Sequence, residues 1–274
     1  VVCAALHAPG GVQCCADHLE QQLFPVSTWG KTYIGTKSFA RGVEKDYWRL
    51  VAATDGTQVS VTPTIPGVPA TISLNRGQFY EFQTELDVII QSNEPIMVAQ
   101  TLPSSFEGQG PPDCTSNSQC MTGHICTSPD IFGPTMCILE NDFCMSAADC
   151  PQGYNCVEGG LFGMSCQPIG DPALILSAPV EQFRDRYVFL TPTNYLDDYI
   201  NIVSSAGTSV TLDGVTVNAN QFTAIANTTY QVARLKVSDG VHTLEADAPV
   251  GVIVYGYDDD VSYGYPAGLS LSNL

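Results

Sequence analysis

The chain carries little charge. Asp, Glu, Lys and Arg make up 14% of its 274 residues, well under the usual quarter. Bases are scarcest: 10 Lys and Arg stand against 28 Asp and Glu. None falls between Arg76 and Arg184, a span that holds thirteen acids. Nucleic-acid binding needs a basic stripe to neutralise phosphates, and none exists. The acidic balance speaks to solvation and association rather than to fold. It suits a solvated acidic surface, calcium sites, or survival among proteases that cut at basic residues.

Other absences narrow the field further. No apolar run approaches the ~20 residues of a membrane-spanning helix; the richest stretch, Ala248 to Gly256, reads as a strand. Helical periodicity is nearly missing, with His18 to Leu23 the one candidate turn of helix. The start, VVCAAL, lacks Met and a signal peptide, so the chain reads as a trimmed piece of a longer secreted product. Histidines number four: His7, His18, His124 and His242. No G-x-S-x-G elbow, H-E-x-x-H pair or phosphate-cradling glycine loop occurs. His242 follows a DG turn and reads as a structural histidine. No catalytic residue is assigned, and no cofactor is required.

Cysteine is what the chain has in plenty. Eleven in one chain point to an oxidising compartment. Eight follow a repeated spacing: Cys114, Cys120, Cys126 and Cys137, then Cys144, Cys150, Cys156 and Cys166. A unit of about two dozen residues cannot bury a core, so crosslinks must supply what burial cannot. Zinc favours cysteines two to four residues apart, often with histidine; five-residue gaps fit it poorly. Disulfides are therefore expected, with first-to-third and second-to-fourth pairing as the working choice. Ile131-Phe132-Gly133 and Gly160-Leu161-Phe162-Gly163 place an apolar pair late in each unit, either as contact tips or as a small core.

Cys3, Cys14 and Cys15 form an odd set. Cys3 is expected to pair with Cys14 or Cys15, leaving one thiol free or bonded outside the chain. Asp258, Asp259 and Asp260 follow a strand, and read either as a solvated turn or as oxygen ligands for calcium. Asn227-Thr228-Thr229 is an N-glycosylation sequon.

Two stretches repeat. PVSTWGKTYI from Pro25 answers PVEQFRDRYV from Pro179, and DYWRLVAATDGTQVSV from Asp46 answers DYINIVSSAGTSVTL from Asp198. Asn93-Glu94-Pro95-Ile96 answers Asp247-Ala248-Pro249-Val250 in the same order. Strands are predicted at 47–53, 57–61, 88–90 and 96–100, then at 187–190, 199–203, 209–212, 230–237 and 250–257. Asp55-Gly56, Asp213-Gly214 and Asp239-Gly240 favour tight hairpins between them. The expected fold is all-β: two homologous antiparallel β-sandwich-like domains with a small disulfide-rich insert between them. The boundaries are 1–18, the tail of a preceding repeat or a linker; 19–106, the first domain; 107–170, the insert; and 171–274, the second domain.

Four segments carry a family resemblance: CADHLEQQLFPVSTWGKTYI from Cys15, VAATDGTQVSV from Val51, LNRGQFYEFQ from Leu74 and VSYGYPAG from Val261. Together they resemble the N-terminal domain of the IgG Fc-binding protein family, most of all its large secreted bacterial members of the myxobacterial kind. The cysteine insert departs from that pattern. The resemblance implies an extracellular, modular, β-rich protein without catalytic residues.

The function expected is a secreted or cell-surface binding or adhesion module that contacts a protein or glycan. The alternative is a structural subunit of an extracellular fibre or coat, whose partners are copies of itself. An enzyme is the third and least supported reading. No nucleic acid and no membrane span in this chain are expected.

Overall fold

The computed structural model describes residues 2–3, 18–42, 44–104, 114–120, 122–128, 135–140, 142–159, 163–225 and 228–272. Among them it is all-β, with antiparallel pairing throughout and no α-helix. Strands β1 (Val2–Cys3) and β2 (His18–Leu19) form a small ladder of their own. His18 and Leu19 are thus strand, not the helical turn that the sequence suggests. So short a segment cannot meet the cost of nucleating a helix, whereas a partner strand supplies its hydrogen bonds at once.

Two four-stranded sheets follow. They are built from β3 (Thr32–Gly35), β4 (Asp46–Ala52), β5 (Thr57–Thr62), β6 (Ile72–Leu74), β7 (Phe79–Thr84), β8 (Val88–Ser92) and β9 (Ile96–Leu102). One sheet runs β3-β8-β5-β6. The other runs β9-β4-β7 and gains its fourth strand only after the cysteine insert. Alternation decides which side chains enter the core. Trp48, Leu50 and Ala52 of β4 meet Tyr33 of β3, Val59 of β5 and Ile90 of β8, while Arg49 between them stays exposed.

The insert holds two hairpins, β10 (His124–Thr127) with β11 (Met136–Leu139), and β12 (Tyr154–Gly159) with β13 (Gly163–Pro168). The chain then returns as β14 (Ala173–Leu176), which pairs with β9 from Ala173↔Leu102 to Leu176↔Ala99. The insert is therefore the loop of a hairpin whose two arms are β9 and β14.

The remaining strands are β15 (Arg184–Thr191), β16 (Asp197–Ser205), β17 (Val210–Leu212), β18 (Val215–Thr216), β19 (Phe222–Ala224), β20 (Tyr230–Val237), β21 (Gly240–Asp258) and β22 (Val261–Pro266). They form one eight-stranded sheet that curls into a half-barrel, because the 19-residue β21 belongs to both its halves. Its first half pairs with β15 and β17, its second with β16 and β22. Asp213 and Gly214 both have positive φ, 50° and 78°, as a tight hairpin turn requires.

Strand orders correspond. β15-β21-β17-β18 matches β3-β8-β5-β6, and β22-β21-β16-β20 matches β14-β9-β4-β7. Small details recur with them. Tyr33 Oη donates to Ile96 O and Tyr187 Oη to Val250 O, each at 2.6 Å. Ile96 and Val250 each follow a proline.

The halves meet along two apolar seams. Ile34 and Ile89 pack on Val203, Ile225 and Val232. Leu102, Ile169 and Ile175 pack on Tyr199, Tyr255 and Tyr257.

Candidate functional site

Each cysteine unit folds the same way. Cys114 bonds Cys126 and Cys120 bonds Cys137; Cys144 bonds Cys156 and Cys150 bonds Cys166. The third and fourth cysteines face each other across the hairpin, Cys126↔Cys137 and Cys156↔Cys166. Each instead bonds back to the loop before it, so that loop is stapled to both arms. A short 3₁₀ turn lies in each loop, closed by a capping box from Ser116 and Gln119 or from Ser146 and Asp149. Backbone N–H groups of Met145 and Ser146 donate to Asp149 and hold its carboxyl below the usual range. Three sulfurs crowd within 4.8 Å in each unit, those of Cys114, Cys120 and Cys137 and those of Cys144, Cys150 and Cys166, yet bonded in pairs they offer no thiolate to a metal.

The two units touch. His124 Nε2 lies 3.0 Å from Tyr154 Oη, and Leu139 of the first unit packs on Cys144, Tyr154 and Cys166 of the second. Burial lowers the His124 pKa and pushes the Tyr154 hydroxyl up to about 12. On its outer side the second unit exposes Phe143, Met145 and Met164.

The insert is held at its base by the β3–β4 loop. Arg41 Nη2 donates to Pro103 O at 2.8 Å, where the chain enters the insert, and Nη1 donates to Ile169 O, where it leaves. The guanidinium lies 4.3 Å from the centre of the Tyr257 ring. Gly170 has φ +98°, and a Cβ there would come within 2.5 Å of both Arg41 and Tyr257. Glu44 and Asp46 balance Arg41 and Lys37 in this buried loop, with Lys37 Nζ 2.9 Å from Asp46 Oδ1. Sequence reasoning missed this network. Its signal was available: five of the ten residues from Lys37 to Asp46 are charged, in a chain where 14% is the mean.

A cleft of about 410 Å³ opens between the second unit and the half-barrel. Pro151, Gln152 and Asn155 line one wall, Leu196, Asp197 and Lys236 the other. Lys236 pairs with Asp197, whose other oxygen accepts from Tyr199 Oη at 2.9 Å. Gln152 Nε2 donates to the same hydroxyl at 3.0 Å.

Asp258, Asp259 and Asp260 form the tip of the β21–β22 hairpin. Asp259 Oδ2 accepts from Asn155 Nδ2 at 2.8 Å, and Asp258 Oδ1 accepts from the Asp259 N–H at 2.7 Å. The three carboxylates do not converge: among the described residues, the groups with metal-ligand spacing are the two cysteine clusters. Cys3 lies in β1, its backbone opposite His18. Cys14, Cys15, Asn227, the apolar tip 131–133 and residues 160–162 of the second lie outside the described residues.

His242 sits beside an acid and a hydroxyl, as in a catalytic triad. Its Nδ1 lies 2.7 Å from Asp213 Oδ2, and its Nε2 2.7 Å from Ser238 O and 3.3 Å from Thr191 Oγ1. A carbonyl only accepts, so Nε2 carries a proton and cannot take one from Thr191. Burial lowers the His242 pKa, but the Asp213 and Ser238 hydrogen bonds outweigh it and the net direction is up. This is a clamp, not a base.

A family model described as IgGFc binding protein matches residues 2–132 and 141–256. Most of the cysteine insert thus lies within the matched stretches. No curated protein matches the chain. Two solved structures are similar over most of both chains. One is an anti-sigma factor domain-containing protein, 11% identical over 86% of this chain and 82% of that one, with TM-score 0.20. The other is an anti-sigma factor domain-containing protein from Clostridium clariflavum, 10% identical over 87% and 83%, also with TM-score 0.20.

Proposed function

The chain belongs to the IgGFc-binding protein family, and from that premise we propose that it is an extracellular, non-catalytic binding module whose contact surface is the second cysteine unit. Family membership suggests a binding protein, and multiple disulfides are consistent with an extracellular one. We read the corresponding strand orders as two copies of one β-sandwich-like domain that serve as scaffold. The observation that carries the proposal is the exposure of Phe143, Met145 and Met164 on a unit fixed by two disulfides. A crosslinked unit loses little entropy when it docks, so exposed apolar area there converts well into affinity. The polar cleft beside it, with Gln152, Asn155 and Lys236, supplies directional contacts.

The test is saturable binding to a panel of secreted glycoproteins that includes immunoglobulin G Fc. A ligand found in this way should bind the Phe143→Ser, Met145→Ser double variant at least tenfold more weakly. Equal binding by that variant and the parent would remove the contact surface from the second unit.

A further inference from the structure

The join between the two halves is directional. The first half offers the outer face of β3 and β8, where the cross-strand partners Ile34 and Ile89 are 4% and 6% exposed. The second half receives them on the outer face of β16 and β20, where the partners Val203 and Val232 are 2% and 1% exposed. An ion pair between Asp87 and Arg234 closes the rim.

Because the strand orders correspond, each half owns both kinds of face. With Tyr187 set on Tyr33, Val188 takes the place of Ile34, and its partner Thr243 that of Ile89. Leu190 and Val241 form the next outward pair along the same strands. These residues are uncovered: Val188 is 70% exposed, Val241 69% and Leu190 54%. On the first half, Val51 and its partner Phe79 take the places of Val203 and Val232. Phe79 is 58% exposed. Among the described residues, Val188, Leu190 and Val241 leave one offering face uncovered, and Phe79 one receiving face.

We propose that a second copy of this chain docks head to tail, its β4–β7 face taking the β15–β21 face of the first. The contact repeats the seam already present inside each chain. It differs at the rim. Val241 stands where Asp87 stands, and Glu81 stands where Arg234 stands, already paired with Arg49 at 2.7 Å. The joint between copies therefore lacks the Asp87–Arg234 pair and carries Arg49 with Glu81 on its receiving face and Arg186 with Glu245 on its offering face. A heterologous contact does not close on itself at two copies, so it extends into rings or filaments. The net charge of −18 opposes the approach of two copies, and salt screens that repulsion. The inference uses no residue of the cysteine insert and is independent of the binding proposal.

Sedimentation velocity of the whole chain over a concentration series tests it, with the exposed-site variants Val188→Glu and Phe79→Glu. The parent is expected to form species beyond a dimer, more so as salt is raised. Each variant alone should be monomeric, with the parent's melting temperature and circular dichroism. Mixed in equal amounts, the two should form a dimer and stop there, since each keeps the face that the other has lost. A parent that stays monomeric at every concentration and salt level would overturn the proposal. So would a closed dimer, or variants that associate as the parent does.

Discussion

Arg41 reaches Pro103, where the chain leaves β9 for the insert, and donates to its carbonyl at 2.8 Å. The same guanidinium donates to Ile169 on the returning strand. One side chain thus closes the neck of a loop that begins and ends on adjacent strands of one sheet. The insert needs no core of its own at this point, because its base is fastened to that of its neighbours.

Replacing Arg41 should be severe. Arg41→Ala would remove one of the two cations beside buried Glu44, which lies 3.6 Å from Arg41 Nε and 3.9 Å from Lys37 Nζ, and would free both neck carbonyls. Breaking such a buried pair costs about 3–5 kcal/mol. Arg41→Lys should rescue little, since an ammonium cannot fork to two carbonyls and cover the Tyr257 ring. Denaturant titration followed by tryptophan fluorescence reads both variants, and a loss below about 1 kcal/mol for Arg41→Ala would deny the neck its role.

His242 should make stability fall as solutions become alkaline. Its pKa is raised in the fold, so its contribution is whole below the unfolded value, about 6.5, and is lost as pH rises through the folded value. Asp213 is held below its usual range, so its share is present above about 3.9 and is lost only as pH falls through the folded value. Melting temperature measured from pH 5 to pH 9 should decline for the parent across the upper part of that range. The decline should flatten in His242→Gln.

Asp198 shifts stability in the same direction as His242. Burial pushes its carboxyl up to about 6, against the Tyr263 hydrogen bond and with help from Asp239 beside it. The folded chain therefore favours the protonated acid. Its stabilising share is whole below about 3.9 and is lost as pH rises through about 6. Asp198→Asn removes that charge and should raise stability at pH 8 by about 1–2 kcal/mol, with no gain at pH 4. An equal gain at both values would mean that charge is not the cause.

Much of the fold was legible because its signals are local. The predicted strand 47–53 is β4 shifted by one residue, and 230–237 is β20 as observed. Asp213-Gly214 announces its hairpin through the one geometry that glycine and aspartate share. What stayed hidden depends on distant partners. Ala173–Leu176 carries an ordinary apolar run, and nothing in it says that the mate is β9, across the whole insert. The first half of β21 alternates polar and apolar residues, but the predicted strand begins only at Val250 because Ala248-Pro249 looks like a break. Arg41 was missed because a run of charged residues is normally a surface loop, and only the return of Ile169 makes it a buried one. Of the candidate site, spacing revealed the eight insert cysteines, while Phe143 and Met145 became notable only once their exposure was visible.

In the 114–166 stretch crosslinks replace a core. Peptide mapping by mass spectrometry, on chain digested without reduction, reads their pairing. The account predicts Cys114 linked to Cys126, Cys120 to Cys137, Cys144 to Cys156 and Cys150 to Cys166. Alkylatable thiols at those eight positions in the native protein would contradict it.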